Sequence, residues 1–406
     1  MDYHLFDVVG IELEYMVVKS SDLKVLPIVD ELLTAKNGEL TSEIENGTIG
    51  WSNELVAHVV ELKTNGPTTK PVSLSQDFHK NIQEINNLLH RQGAELLPSA
   101  AHPLMNVKTE MQLWKHDYNE VYELYNRVFD CKGHGWANVQ SMHVNLPFNG
   151  DEEFEKLHAA IRIILPLLPG ISAASPIFDG QITGFLDSRM EAYKTNQKEI
   201  PIMTGKVIPE QAFSQDEYNL KIFNPIKTAI KPFDPENILE HYFLNSRGAI
   251  ARFDRNAIEI RVIDVQECPK ADVAIAILTV EVLKLLVSEE IVSLKEQKKW
   301  HENDLYEILN SAIKEGENSL ITNLDYLNLF SIKEESKLLD VWKKLYELVK
   351  FKIHIEHRIT LEALLKHGTL STRILKAIGN DVSSGNIITV YRHLAICLQN
   401  NELYLP

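Results

Sequence analysis

The chain has 406 residues, 44% hydrophobic and 24% charged, an ordinary globular composition that supports a sizeable core. Its 41 Lys and Arg against 57 Asp and Glu leave a formal charge of -16, which excludes general affinity for nucleic acid or anionic membrane, since both need a positive footprint. No apolar run approaches about 20 residues, Met1-Asp2-Tyr3-His4 does not begin a basic and then apolar leader, and Cys131, Cys268 and Cys397 form no Cys-x-x-Cys pair, so the chain reads as cytoplasmic with reduced thiols.

In chain order, 5–18 and 54–64 are β-branched and apolar with acidic interruptions, which predicts two strands separated by a polar loop near 37–50. Phe78, Ile82, Ile85 and Leu88/Leu89 recur at helical spacing and predict a helix over 73–92. A strand is expected from Glu95, a helix over 117–130, a strand over 138–147, and a helix over 151–168 that stops around Pro169-Gly170. A Gly-bearing loop covers 176–184, and 180–250 has few periodic runs, the pattern of a functional or lid segment. A strand follows at 256–265, then helical periodicity at 271–287, 303–315, 335–351, 360–366 and 387–398. Strands separated by helices and loops rather than regular βα units predict an α+β fold with an antiparallel sheet, read as a single domain over 1–406 with a sheet-bearing part to 265 and a helical part from 266.

Four of the strand segments carry ionisable residues on one face. Glu12 and Glu14 lie about 7 Å apart along a strand, with Ile11, Leu13 and Tyr15 on the other side; they face either water, as an edge strand would, or cations. Glu61 sits in the β-prone run Val56-Ala-His-Val-Val-Glu-Leu, where a buried carboxylate must be paired, protonated or metal-bound. Glu54 is a weaker candidate at the strand entry, and His58 falls on the opposite face and reads as a core histidine. His143 shares a face with Ser141 and Asn145, and Glu259 shares one with Arg261, either as a structural salt bridge or as a metal ligand beside an anion clamp. G-x-x-x-x-G-K-[ST], G-x-G-x-x-G after a strand, G-x-S-x-G and H-E-x-x-H are all absent, so any nucleotide would be held through metals and Arg or Lys side chains.

Taken together, Gly10-Ile-Glu-Leu-Glu-Tyr, Val59-Val-Glu-Leu-Lys-Thr, Ala101-His-Pro, His143-Val-Asn, Leu168-Pro-Gly-Ile-Ser-Ala-Ala-Ser-Pro-Ile-Phe-Asp-Gly with Thr183-Gly-Phe-Leu-Asp-Ser-Arg, and Ala257-Ile-Glu-Ile-Arg-Val-Ile-Asp resemble, in order, the second family of glutamate-cysteine ligases, the carboxylate-amine ligases. The resemblance spans roughly residues 8–265. It implies a catalytic fold like that of glutamine synthetase and the guanido kinases, an antiparallel cup whose carboxylates hold Mg2+ (or Mn2+) against ATP. It implies that ATP phosphorylates a carboxylate, of glutamate or another acid, and that the amine of cysteine or another small molecule displaces phosphate, as in glutathione biosynthesis.

Carried over by motif, Glu12, Glu14, Glu61, His143 and Glu259 become metal ligands. Glu259 and Arg261 become catalytic, with Arg261 a phosphate clamp, and Ser188, Arg189 and Arg261 become nucleotide or substrate contacts. Arg127 and Arg252 are further candidates for anions, although a solvated surface role fits each. Small-molecule partners and a possible homo-oligomer are expected. Two alternatives stand beside this reading: a guanidino or amine phosphotransferase, and a non-catalytic Mg-nucleotide-binding homologue. The chain departs from the family at His143-Val-Asn-Leu-Pro, where many relatives have His-Val-His-Val-Gly, so Asn145 replaces a histidine and is a poorer ligand. The 190–235 region also departs from the short, Trp-bearing segment expected of the family, so the resemblance carries least weight for the acceptor pocket and for cysteine as the amine.

Overall fold

The computed structural model describes residues 3–239 and 241–406, apart from the side chains of 241 and 242. Its centre is β1 (Gly10–Lys19), a strand whose odd residues from Ile11 to Val17 are apolar and whose neighbours are all distant in sequence. The hairpin of β2 (Glu43–Asn46) and β3 (Ile49–Asn53) leads into β4 (Val59–Thr64), which pairs with β1 from Glu12 to Met16. On the other edge of β1, β5 (Ala94–Leu97) pairs with its C-terminal end and β6 (Ser141–Pro147) with its N-terminal end. Beyond β6 come β8 (Ala257–Asp264) and then β7 (Ala249–Arg252). The eight strands form the order β2-β3-β4-β1-β6-β8-β7, with β5 also on β1, and every pairing is antiparallel. The α+β antiparallel fold expected from the sequence is the observed one.

Period-2 alternation decides the two faces of this sheet. Ile11, Leu13 and Tyr15 of β1, Val60 and Leu62 of β4, Met142, Val144 and Leu146 of β6, and Ile258 and Ile260 of β8 are all buried on one side. Each such aliphatic side chain contributes roughly 1.5–3 kcal/mol by leaving water. The helix Pro269–Val287 is apolar around most of its circumference and is accordingly buried, in contact with the helices Leu74–Leu89, Gly150–Ile164 and Ile355–His367. Further helices at Glu302–Glu315, Leu338–Val349, Leu370–Ile378 and Ser384–Asn400 complete the C-terminal part. Among the described residues no helix is long and apolar enough to cross a membrane.

Several expectations need correction. The loop expected near 37–50 holds the β2–β3 hairpin, whose two-residue Gly47-Thr48 turn places Gly47 at φ +71°, the left-handed conformation that glycine adopts without strain. The helix expected to stop near Pro169-Gly170 runs through a 3-10 turn into a further helical turn, Pro169–Ser172, because proline is tolerated at the first helical position. The absence of a side chain at Gly170 lets Leu338 approach, since a Cβ there would lie 2.2 Å from Leu338 Cδ2. The 180–250 region is built of short helices, including Ser188–Tyr193 and Asn224–Ile230, and is tied down by the ion pair of buried Arg247 with half-buried Glu210. Residue 240 lies outside the described residues.

Candidate active site

The even-numbered face of β1 looks into a cavity of about 1000 Å³, and the neighbouring strands bring their own polar residues to the same floor. Register explains the convergence. Glu12 stands opposite His143 on one side and Lys63 on the other, Glu14 stands opposite Glu61, and Glu259 stands opposite Asn145. Glu12, Glu14, Glu61, His143, Glu259, Arg261 and Asn145 therefore all border one space, although they come from four strands spread over some 250 positions.

A hydrogen-bond network holds this floor. His143 Nδ1 donates to Glu12 Oε2 (2.8 Å), and Asn145 Nδ2 donates to the other oxygen of that carboxylate (3.0 Å). Glu14 Oε2 accepts from the backbone N–H of Ser141 (2.7 Å) and from its hydroxyl (3.0 Å), while the same hydroxyl lies 3.0 Å from His143 Nε2. Ser52 donates to Glu61 (2.8 Å), and Lys63 Nζ bridges Glu61 at 3.4 Å and Glu43 at 2.9 Å. Arg261 Nε lies 2.9 Å from Glu259 Oε1, at an angle that makes an ion pair rather than a hydrogen bond.

The charges are unevenly settled. Burial pushes Glu12 up, but the hydrogen bond and charge of His143, with Arg261 and Lys63, carry it down to about 2. Burial raises Glu61 to about 7, reinforced by the Glu12 carboxylate and only partly opposed by Lys63 and His143. Burial raises Glu54 well above the carboxylate range, and the charges of Glu61 and Glu14 add to the rise. For His143 burial acts downward, and the Glu12 hydrogen bond with the surrounding carboxylates wins, so its pKa is raised. Crowded carboxylates that resist ionisation are the electrostatic condition a cation relieves.

The donor set fits a divalent metal. Glu12, His143 and Glu259 offer ligand atoms within 4.8 Å of one another, and Glu14, Glu61 and His143 form a second trio of the same kind. Carboxylate oxygens with one imidazole suit Mg2+ or Mn2+, whereas thiolate-seeking metals would find no cysteine here.

The other sequence candidates fall in different places. Arg189 borders the cavity and is almost wholly buried. Ser188 does not border it: its hydroxyl is 2.6 Å from that of Thr183 and lies near the carbonyl of Phe185, so it braces the start of the Ser188–Tyr193 helix. Arg127 is exposed on the Asn119–Phe129 helix and away from the cavity. Arg252 borders the cavity, paired with Asp254 and 4.0 Å from Glu259. His58 is buried on the core side, bonded through Nε2 to the carbonyl of Ala137 (2.8 Å), as its position on the strand implied.

Two features escaped the sequence reading, and a third was ranked too low. Glu54 belongs to the cavity wall and interacts electrostatically with Glu61, Glu14 and Glu12. Tyr118, Tyr122 and Tyr125, at helical spacing on and before the Asn119–Phe129 helix, join Trp136, Tyr193 and Phe243 as an aromatic wall; the tyrosine spacing was a legible signal. The last is a β-bulge in β8. Ile260 pairs with Val144 and Ile263 with Met142, so Arg261 and Val262 together face one residue, His143. A bulge inverts the alternation beyond it, and Asp264, opposite Ser141, consequently lies on the site side of the strand.

Comparison with known proteins gives the family and the fold. The model of the glutamate-cysteine ligase family 2 matches residues 8–393. An "Uncharacterized protein" of Archaeoglobus fulgidus is 32% identical over 398 residues, covering 98% of this chain and 100% of the relative. A Rubrobacter xylanophilus protein named "Putative glutamate--cysteine ligase 2-3" is 27% identical over 190 residues, which is 46% of this chain and 48% of that protein. Among solved structures, the glutamate-cysteine ligase of Francisella tularensis in complex with AMP superposes with a TM-score of 0.59 at 14% identity, covering 98% of this chain and 90% of that one. The bifunctional glutathione synthetase of Pasteurella multocida superposes with a TM-score of 0.53 at 14% identity, covering 96% of this chain and 52% of that one. At these identities the superpositions speak for the fold. With the family model matched along nearly its whole length, the chain belongs to the glutamate-cysteine ligase family 2.

Proposed function

We propose that this protein is an ATP-dependent carboxylate-amine ligase that joins the γ-carboxylate of glutamate to the amine of cysteine or another small amine, with residues 1–406 acting as one catalytic unit. The observation that carries the reading is the convergence of Glu12, Glu14, Glu61, His143 and Glu259 on one cavity floor, in a chain of a ligase family. These five residues would hold Mg2+ or Mn2+. Bound there, the ions would offset the triphosphate charge and polarise the transferred phosphoryl group.

The rest of the chemistry falls to position and charge. A carboxylate oxygen of the donor attacks the γ-phosphorus of ATP, the bond to the β-phosphate oxygen breaks, and ADP leaves. The amine nitrogen of the acceptor then attacks the acyl carbon, the C–O bond to phosphate breaks, and the ammonium proton passes to a carboxylate or to solvent. Arg261, held beside Glu259, supplies a fixed cation where charge develops on the acyl phosphate. The aromatic wall of Tyr118, Tyr122, Tyr125, Trp136 and Tyr193 keeps water from an intermediate that would otherwise hydrolyse. Neither step needs an enzyme nucleophile.

The test is ADP release with glutamate and a panel of amines, followed by mass detection of the amide. An amide formed in step with ADP supports the proposal. A phosphorylated amine without amide would instead make the protein a phosphotransferase, and ATP binding without substrate-dependent ADP would make it a nucleotide-binding homologue.

A further inference from the structure

One cation on the site face has no part in the ligase reading. Lys63 of β4 stands directly opposite Glu12 of β1, Glu12 stands opposite His143 of β6, and the bulge in β8 sets Arg261 and Val262 against His143. Residues directly opposite in an antiparallel sheet share a face. Lys63, Glu12, His143 and Arg261 therefore form one row across the cavity floor, with a cation at each end. Glu12, between them, is held ionised by both cations as well as by His143.

The Lys63 ammonium is held loosely. An ammonium has three N–H donors, and this one has two carboxylate partners, Glu61 at 3.4 Å and Glu43 at 2.9 Å. The Glu61 contact is longer than a charge-assisted hydrogen bond, and Glu43 lies on the edge strand β2 with a side chain 61% exposed, so water screens that pair and lets it exchange. Gly50 of β3 stands opposite Lys63, and a Cβ there would lie 3.9 Å from Lys63 Cγ, so no side chain covers the stem on that flank. Burial acts to lower the pKa of Lys63, but Glu61, Glu43 and Glu12 raise it, and the group stays charged. Divalent ions held by Glu12, Glu61 and His143 would stand beside this ammonium as like charges. An anion that bridges the ions and the ammonium removes that repulsion.

We propose that Lys63 is a nucleotide-contacting residue that exchanges partners: parked on Glu43 in the empty site, its ammonium swings to donate to non-bridging oxygens of the ATP polyphosphate, at the end of the row opposite Arg261. The proposal rests on the ligase reading for ATP. It adds a cation that the reading leaves out, and a carboxylate, Glu43, that competes with the nucleotide for it. The exchange makes and breaks hydrogen bonds only, and the exposed Glu43 is left to water.

The test is calorimetric binding of ATP and of AMP, each with Mg2+, and of Mn2+ alone, to the full-length protein without donor or amine. Wild type is expected to bind ATP more tightly than AMP. Lys63→Met should lower ATP affinity by about tenfold or more, the size of one charge-assisted contact, while AMP affinity stays within about twofold. Lys63→Arg, which keeps the charge, should retain most of the ATP affinity. Glu43→Gln should hold or raise ATP affinity in the wild-type background and change nothing in the Lys63→Met background. A lysine that serves only to offset Glu61 would instead show as Mn2+ affinity that rises in Lys63→Met with the preference for ATP over AMP intact, and that result overturns the inference. A Glu43→Gln variant that weakens ATP binding overturns the exchange, and a wild type without preference for ATP overturns the whole. Should Lys63→Met not fold, Lys63→Gln, which keeps a polar end and loses the charge, decides the matter. The ligase reading stands or falls separately, on ADP release and amide formation.

Discussion

The two faces of the central sheet are built from the same strands and hold together for opposite reasons. On the core face Leu13, Leu62 and Val144 need only to be apolar and to fit, and their burial is favourable wherever they find neighbours. On the site face Glu12, Glu14, Glu61 and Glu259 are brought together on one floor, where His143, Lys63 and Arg261 settle the charge of Glu12 but leave Glu61 raised by burial and by the Glu12 carboxylate. One face makes the fold stable, and the other uses that stability to hold a geometry that free carboxylates would avoid.

The contrast can be broken from either side. Glu259→Ala should lower substrate-dependent ADP release by about a hundredfold or more, with the melting temperature held or raised because a crowded charge has gone; unchanged turnover would remove Glu259 from the machinery. Leu13→Ala should do the reverse, lowering unfolding free energy in urea by about 2–5 kcal/mol while activity per folded molecule persists. A large loss of activity without loss of stability would show the two faces to be coupled.

The faces should also titrate with opposite sign. Glu61 is raised to about 7 in the folded chain, so without metal the native state holds a proton that the unfolded state loses from about pH 4.5 upward. Its contribution to stability therefore falls as pH rises from about 4.5 to 7. Mn2+ should reverse that fall, stabilising the fold by about 2.7 kcal/mol at a hundred times its dissociation constant, with affinity that weakens below pH 7 as Glu61 is protonated. Thermal melts with and without Mn2+ across that range would show the reversal, and a Mn2+ effect independent of pH would count against Glu61 as a ligand.

His58, on the core side, is lowered by burial to about 4, so between pH 6.5 and about 4 the unfolded chain takes up a proton that the native one refuses. Stability from this residue falls as pH is lowered through that window. The effect is the smallest of the four, because His102 and His158 are held low in the same way and share it. His58→Gln should flatten the acid limb of a urea-midpoint profile slightly, and an unaltered limb would place the acid sensitivity elsewhere.

Much of the site was legible because strand alternation is local. Glu12 and Glu14 had to share a face, and His58 had to oppose Glu61, whatever lay beside them. Helix starts and ends around Leu74–Leu89 and Pro269–Val287 followed from apolar spacing in the same way. Ser188 misled because adjacency to Arg189 in sequence says nothing about which way each side chain turns at a helix start; the hydroxyl is absorbed by Thr183. Glu54 was ranked low because its neighbours, Glu14 and Glu61, are set by pairing between strands rather than by its own surroundings in the chain.

By itself, then, the sequence determined five of the eight strands, β1, β4, β5, β6 and β8, with their polar faces, the missing phosphate loop and the set of ionisable residues available to a metal. Only the tertiary structure decided which strands are neighbours, how Glu12 comes to face His143 and Glu259 to face Asn145, and that one extra residue in β8 turns Asp264 toward Arg189. The physical reason is range. Alternation is a property of a few consecutive peptide units, whereas register and bulges are settled by the burial and hydrogen bonding of segments more than a hundred residues apart, where a shift of one position changes every face.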